Sequence, residues 1–270
     1  MIGLRRMDNI QYCVETALND EVSGDLIETG VWRGGATIFM RAILKVRGDT
    51  SRKVWVADSF AGLPEPDVQR YPADKDDSFY KLDNLRVGVE RVRHNFERYG
   101  LLDDQVRFLV GWFSESLADA PIDQIAVLGL NGDMYESTTQ AIEALYPKLS
   151  TGGFCIVDDY WVVPGCRQAI SDYRAAKDMQ DEIIDIYGVG VYWRKGASGW
   201  PGGRPRDAVL RAATVDWGRG GARVTVCPRL GQTDLDLAAR AGFRTAGPGV
   251  HPGWRIRPRP RSRWLRRGPT

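Results

Sequence analysis

A chain of 270 residues with 43% hydrophobic content is long enough for one large domain or two small ones, and no apolar run approaches the roughly 20 residues that a bilayer span needs. The four cysteines (Cys13, Cys155, Cys166, Cys227) form no CxxC pair and the only histidines are His94 and His251, which argues against zinc, a disulfide framework and a Ser-His triad. The net charge of +2 hides two unlike materials: residues 196–270 hold 15 arginines, no lysine and a balance of +11, whereas residues 1–195 carry −9. The expectation is a soluble cytoplasmic protein without a membrane partner.

Residues 7 to 20 space Ile10, Cys13, Val14, Ala17 and Leu18 as a helix face, with Asp8 as its cap. The next stretch, GDLIETGVWRGG (Gly24 to Gly35), organises the chain. It reads as a short strand ending in Glu28, a turn with Gly30, Gly34 and Gly35, and a helix from about Ala36 to Arg47. Glycines after a strand let backbone approach a nucleotide-like ligand, and helix N-terminal N–H groups then face it. The spacing GxxxGG is not the dinucleotide fingerprint GxGxxG, which points away from a pyrophosphate; a plain tight turn explains it equally well.

KVWVADSF (Lys53 to Phe60) is a second buried strand, and Asp58 at its end is placed to accept ribose hydroxyls or to cap the following loop. Residues 61 to 82, rich in proline and charge, read as a long loop over the site. A helix from Val87 to Tyr99 carries His94, to which no role is given. Gln105 to Phe113 forms a third strand whose terminal Gly111, Trp112 and Phe113 lie against an adenine ring or pack in the core.

Ile125 to Ser137 holds a fourth strand, apolar until Asn131 and Asp133. A helix from Thr138 to Leu149, a Gly152–Gly153 turn and a fifth strand ending in Asp158 and Asp159 follow. Strands buried on both faces and alternating with helices predict an α/β fold, a doubly wound, mostly parallel sheet with its site at the strands' carboxyl ends. IIDIYGVGVYWRK, alternating around Gly188 and Gly190, predicts a closing antiparallel hairpin. After Lys195 the pattern fades: 13 glycines and eight prolines in residues 196–270 predict mostly disorder, with short fragments at Asp207 to Val215 and Leu230 to Ala241. RIRPRPRSRWLRR (residues 255–267) reads as a charged tail rather than a nucleic-acid arm, because no folded aromatic platform accompanies it.

Side chains from the fourth and fifth strand tips can converge. Three or four oxygen donors drawn from Asn131, Asp133, Asp158 and Asp159, without sulfur or imidazole, favour a hard ion such as Mg²⁺, although such acids also cap helices or pair with Arg167. A metal there can grip a substrate hydroxyl and leave a neighbouring carboxylate to take its proton.

GDLIETGVWRGG, KVWVADSFAGLP, NFERYGLLDDQVRFLVGWF, GDMYES, YPKLSTGGF and DDYWVVPGCRQAI occur in the order of, and together resemble, the macrocin O-methyltransferase family over about residues 1–195. The resemblance implies a class I methyltransferase-like fold and S-adenosylmethionine- and Mg²⁺-dependent methylation of a deoxysugar hydroxyl in an antibiotic such as a macrolide. It implies that Glu28, Gly30 and Asp58 hold the methyl donor, with Thr29, Ser59, Gly111, Trp112 and Phe113 beside them, that Asp158 and Asp159 bind metal, and that Asp133 is the general base. The family reads DGDMYES, with its first aspartate a metal ligand, where this chain has Asn131, whose amide oxygen can also coordinate Mg²⁺, and it carries an upstream helical lid ahead of MIGLRR. Its members assemble, so a homo-oligomer is expected, with a small glycosylated molecule as partner. The competing readings are a donor-binding relic that has lost catalysis, an NAD-dependent dehydrogenase and a nucleic-acid binder.

Overall fold

The computed structural model describes residues 3–196 and three strands beyond them, and the chain divides into two compact units, Met1–Gly202 and Gly203–Thr270. In the first unit helix α1 (Leu4–Asn19) buries Ile10, Cys13, Val14 and Ala17. It begins earlier than expected, because Gly3 is extended and its carbonyl accepts from the N–H groups of Arg6 and Met7. Asp8 therefore lies inside the helix and caps nothing.

Strands β1 (Asp25–Thr29), β2 (Val54–Asp58), β3 (Val106–Val110), β4 (Ile125–Leu130) and β5 (Leu149–Val157) run parallel, and β7 (Gly190–Arg194) returns antiparallel between β5 and β6 (Ile184–Ile186). The order is β3-β2-β1-β4-β5-β7-β6. Helices α2 (Gly35–Arg47), α3 (Val89–Arg98), α4 (Phe113–Ser116), α5 (Tyr135–Leu145) and α6 (Pro164–Ala176) complete the doubly wound, mostly parallel arrangement and its closing hairpin. Every residue of β4 is buried, as a central strand covered on both faces requires. Full burial of each of its Ile and Leu side chains contributes about 1.5–3 kcal/mol.

Two boundaries depart from the pattern. Gly152 and Gly153 lie within β5 as an irregularity, where pairing jumps from Ile125↔Leu149 to Val127↔Phe154 and a Cβ on Gly153 would stand 2.8 Å from the Ala126 carbonyl oxygen. Helix α5 starts at Tyr135 rather than Thr138 and yields to a 3-10 turn at Tyr146–Lys148, where Pro147 cannot continue it. Residues 61–88 hold three short 3-10 turns, Pro72–Asp74, Phe79–Lys81 and Asp83–Leu85.

In the second unit β8 (Ala213–Gly218), β9 (Gly221–Val226) and β10 (Trp254–Arg255) pair antiparallel in the order β10-β9-β8. The fragment at 230–241, most of the 255–267 arginine run, Cys227, His251 and the remaining expected disorder lie outside the described residues. No helix among the described residues is long and apolar enough to cross a membrane.

Candidate active site

The strand registers bring the site together. Thr29 pairs with Leu130 and Leu130 with Val157, so Gly30, Asn131 and Asp158 each stand one residue past the ladder, on neighbouring strands. Their N–H groups make the last bonds across it: Gly30 to Ala57, Asn131 to Thr29 and Asp158 to Leu130, at 2.8–2.9 Å. Side chains leaving at that level share one end of the sheet.

Gly30 is required there. With φ +82° it lies in the left-handed region, and a Cβ would fall 1.8 Å from the Asn131 carbonyl oxygen. Asp58 ties β2 to the glycine turn, accepting from the N–H groups of Val31 (2.8 Å) and Trp32 (3.2 Å), while its other oxygen accepts from Phe60 (2.7 Å). Those donors oppose, without cancelling, the upward push of burial on its carboxyl.

A cavity of about 710 Å³ opens over these tips. Glu28, Gly30, Asp58, Ser59, Trp112, Phe113, Asn131, Asp133, Asp158 and Asp159 line it. Two expected residues do not. Thr29 is fully buried with its hydroxyl donating to the Gly129 carbonyl, because alternation along β1 turns it away from Glu28, and Gly111 is outside the lining. Gly35 of the glycine turn and Leu63 and Pro64 of the loop expected over the site also line the cavity, as do Arg6 and Gln140, which sequence reasoning passed over.

The acids crowd one another. Burial, then the charge of Asp158, pushes Glu28 up to about 8, and the neighbouring Asn131 amide acts in the opposite direction. Burial, then Asp77 and Asp158, raises Asp133, and burial, then Asp133 and Asp158, raises Asp159. Glu28 Oε2 and Asp159 Oδ2 are buried without a hydrogen-bond partner. Arg167 pairs with none of the site acids and lies over the Trp161 ring instead; the cation on Asp158 is Arg6, from α1. Among the described residues no three His, Cys, Asp or Glu side chains form a metal-holding group. The expected set is of another kind, two carboxylates and an amide: if the Asn131 nitrogen serves Glu28, its carbonyl oxygen is left to join Asp158 and the orphaned Asp159 oxygen. Hard oxygen donors under mutual repulsion fit Mg²⁺. The orphaned Glu28 oxygen and the space kept by the glycines fit a cationic, nucleoside-like methyl donor.

Asp133 lines the same cavity from the apex of a three-residue turn, where the Met134 N–H donates to the Gly132 carbonyl at 2.6 Å and φ is +58°. A non-glycine residue there stores about 1–3 kcal/mol of strain.

Residues 1–195 match the family described as macrocin-O-methyltransferase (TylF). The chain is 56% identical over 199 residues to the 8-demethyl-8-(2,3-dimethoxy-alpha-L-rhamnosyl)-tetracenomycin-C 4'-O-methyltransferase of Streptomyces olivaceus, covering 73% of this chain and 76% of that protein. It is 50% identical over 196 residues to the demethyldecarbamoylnovobiocin O-methyltransferase of Streptomyces niveus, covering 72% and 75%. The solved structure of the O-methyltransferase NovP superposes with a TM-score of 0.71 at 50% identity, over 72% of this chain and 81% of that one. A calicheamicin methyltransferase, CalS11, at 18% identity and a TM-score of 0.56 over 69% and 78%, shares the fold.

Proposed function

The chain belongs to the macrocin O-methyltransferase family and is an O-methyltransferase, and from that premise we propose that it methylates a deoxysugar hydroxyl of an antibiotic-type natural product, using S-adenosylmethionine and Mg²⁺. The observation that carries this reading is the common level of the β1, β4 and β5 tips, whose residues line one cavity together with Asp133. About 710 Å³ lies within the range of small-molecule sites.

In this reading Glu28, Gly30 and Asp58 hold the donor, which supplies an already activated methyl group when bound. Asn131, Asp158 and Asp159 hold the ion, whose charge lowers the pKa of an adjacent hydroxyl. Asp133 takes the hydroxyl proton on its carboxylate. Burial and neighbouring acids raise its proton affinity, which suits a base working near neutral pH. Trp112 and Phe113 give the cavity apolar walls that exclude water. The relatives' names make three acceptor types natural candidates: a rhamnosylated tetracenomycin, demethyldecarbamoylnovobiocin and mycinamicin III.

The test is incubation of the full chain with S-adenosylmethionine, Mg²⁺ and each acceptor, read as gain of one methyl group by mass spectrometry. Asp133→Asn is expected to lower kcat about 10²- to 10⁴-fold with donor binding retained, and chelation of the metal is expected to stop turnover. No methylated product from any acceptor, or full activity in the Asp133→Asn enzyme, refutes the reading.

A further inference from the structure

The segment over the site carries a buried acid that the chemistry above does not use. Asp74, 3% exposed, accepts from the N–H of Tyr135 on Oδ1 at 2.7 Å and from the N–H of Glu136 on Oδ2 at 2.9 Å. These are the first two N–H groups of α5, whose own N-cap, Met134, has no side-chain oxygen to offer. A carboxylate 61 residues upstream therefore caps the helix. Helix α6 closes the junction: a Cβ on Gly165 would stand 2.9 Å from Asp74 Oδ1 and 3.1 Å from the Tyr135 nitrogen.

One turn of chain separates this junction from Asp133. Its left-handed backbone persists only while both flanks are held. Upstream, the bond from Asn131 N–H to the Thr29 carbonyl anchors the turn to the sheet. Downstream, the hold is the Asp74 carboxylate on the start of α5.

We propose that Asp74 is a positioning residue for methyl transfer: by clamping the first turn of α5 it fixes the direction in which Asp133 meets the acceptor hydroxyl. The inference rests on the reading of Asp133 as the proton acceptor. A cap that only stabilised the helix would lower the melting temperature and leave kcat per folded molecule unchanged. A positioning cap separates kcat from donor binding, because the Asp74 carboxylate bonds to the start of α5 and not to the β1 or β2 tips.

The experiment compares Asp74→Ala, Asp74→Asn and Gly165→Ala with the wild-type full chain on whichever of the three acceptors it methylates, with S-adenosylmethionine affinity measured by calorimetry. Misaiming a catalytic group by about 1 Å costs about 100-fold, so Asp74→Ala is expected to lower kcat about 30- to 100-fold, with donor Kd and acceptor KM within about twofold. Asp74→Asn keeps one acceptor oxygen and is expected to lose about 3- to 10-fold, a partial rescue. Gly165→Ala crowds the same carboxylate from α6 and is expected to lose about tenfold. Values of kcat within twofold of wild type in folded Asp74→Ala overturn the proposal. If that variant does not fold, the same result in both Asp74→Asn and Gly165→Ala overturns it. Donor affinity falling in step with kcat also overturns it. A wild-type chain that methylates no acceptor sinks the functional reading and this inference together; an active wild type with silent variants sinks the inference alone.

Discussion

Two glycines in one turn should fail in opposite ways when given a methyl group. Gly30 has φ +82°, which costs alanine about 1–2 kcal/mol. Its Cβ would lie 1.8 Å from the Asn131 carbonyl oxygen, far inside the 3.0 Å that real Cβ atoms respect, so β1 and β4 would have to part at their tips. Adding an overpacking term of about 1–3 kcal/mol gives a loss of about 2–5 kcal/mol for Gly30→Ala, or a melting point lower by about 10 °C. Gly35 opens α2, has no positive φ, and a Cβ there would meet no atom within 4 Å. Alanine in a helix is favoured over glycine by up to about 1 kcal/mol, so Gly35→Ala should melt at or above the wild-type temperature. Yet Gly35 lines the cavity, and in the proposed donor site the open space beside it is where the donor would come close. Gly35→Ala should therefore lose about tenfold or more in S-adenosylmethionine affinity while keeping its stability. Thermal melting with donor calorimetry separates the cases. A Gly35→Ala protein that binds donor like wild type refutes the assignment of that space, and a Gly30→Ala protein that melts within 3 °C (roughly 1 kcal/mol) of wild type refutes the close approach.

Two further outcomes follow from the charged groups. Arg6 shares the Asp158 carboxylate with any cation that binds there, so Arg6→Ala should tighten Mg²⁺ binding about three- to tenfold by calorimetry without acceptor; weaker binding would mean that Arg6 assembles the site rather than competing for it. The Arg41 side-chain hydrogen bonds hold Asp103 below its ordinary carboxylate range, so its stabilisation is complete above the unfolded pKa of about 3.9 and is lost as pH falls through the lower folded value. Asp103→Asn should cost about 1–2 kcal/mol at pH 7, the exposure of Asp103 having been discounted, and should flatten the loss of stability in urea titrations below pH 4; an unchanged acid slope would contradict the pairing.

What could be read from sequence was what a strand or helix states locally. Val54 to Ala57, Ile125 to Leu130 and Phe154 to Val157 are apolar on both faces and so declared a covered parallel sheet, and acids interrupting such runs marked its carboxyl edge. The segment 164–176 had its own sign, Pro164 at the first helical position followed by Cys166, Ala169, Ile170 and Tyr173 on one face, and it went unused. Arg6 and Asp74 had none. One meets its carboxylate across 152 residues and the other caps a helix from 61 residues away, and no local period specifies which distant group will arrive. The start of α5 was misjudged for the same reason, since its capping oxygen lies in another segment.

Asn131 follows a charge logic that its neighbours make visible. Glu28, Asp58, Asp133, Glu136, Asp158 and Asp159 line one cavity with Arg6 and Arg33 as its basic residues; burial raises each of these acids, and the charge of another acid raises Glu28, Asp133, Glu136 and Asp159 further. A further carboxylate at position 131 would bring another negative charge against Glu28 and raise both further. An amide brings none: its nitrogen can donate to Glu28 while its oxygen stays available to a hard cation. The exchange lowers the charge an ion would meet and relieves the repulsion in its absence. Weaker ion binding and a less strained empty site are thus two consequences of one atom change, and they locate the tolerance for Asn131 in the pair it makes with Glu28.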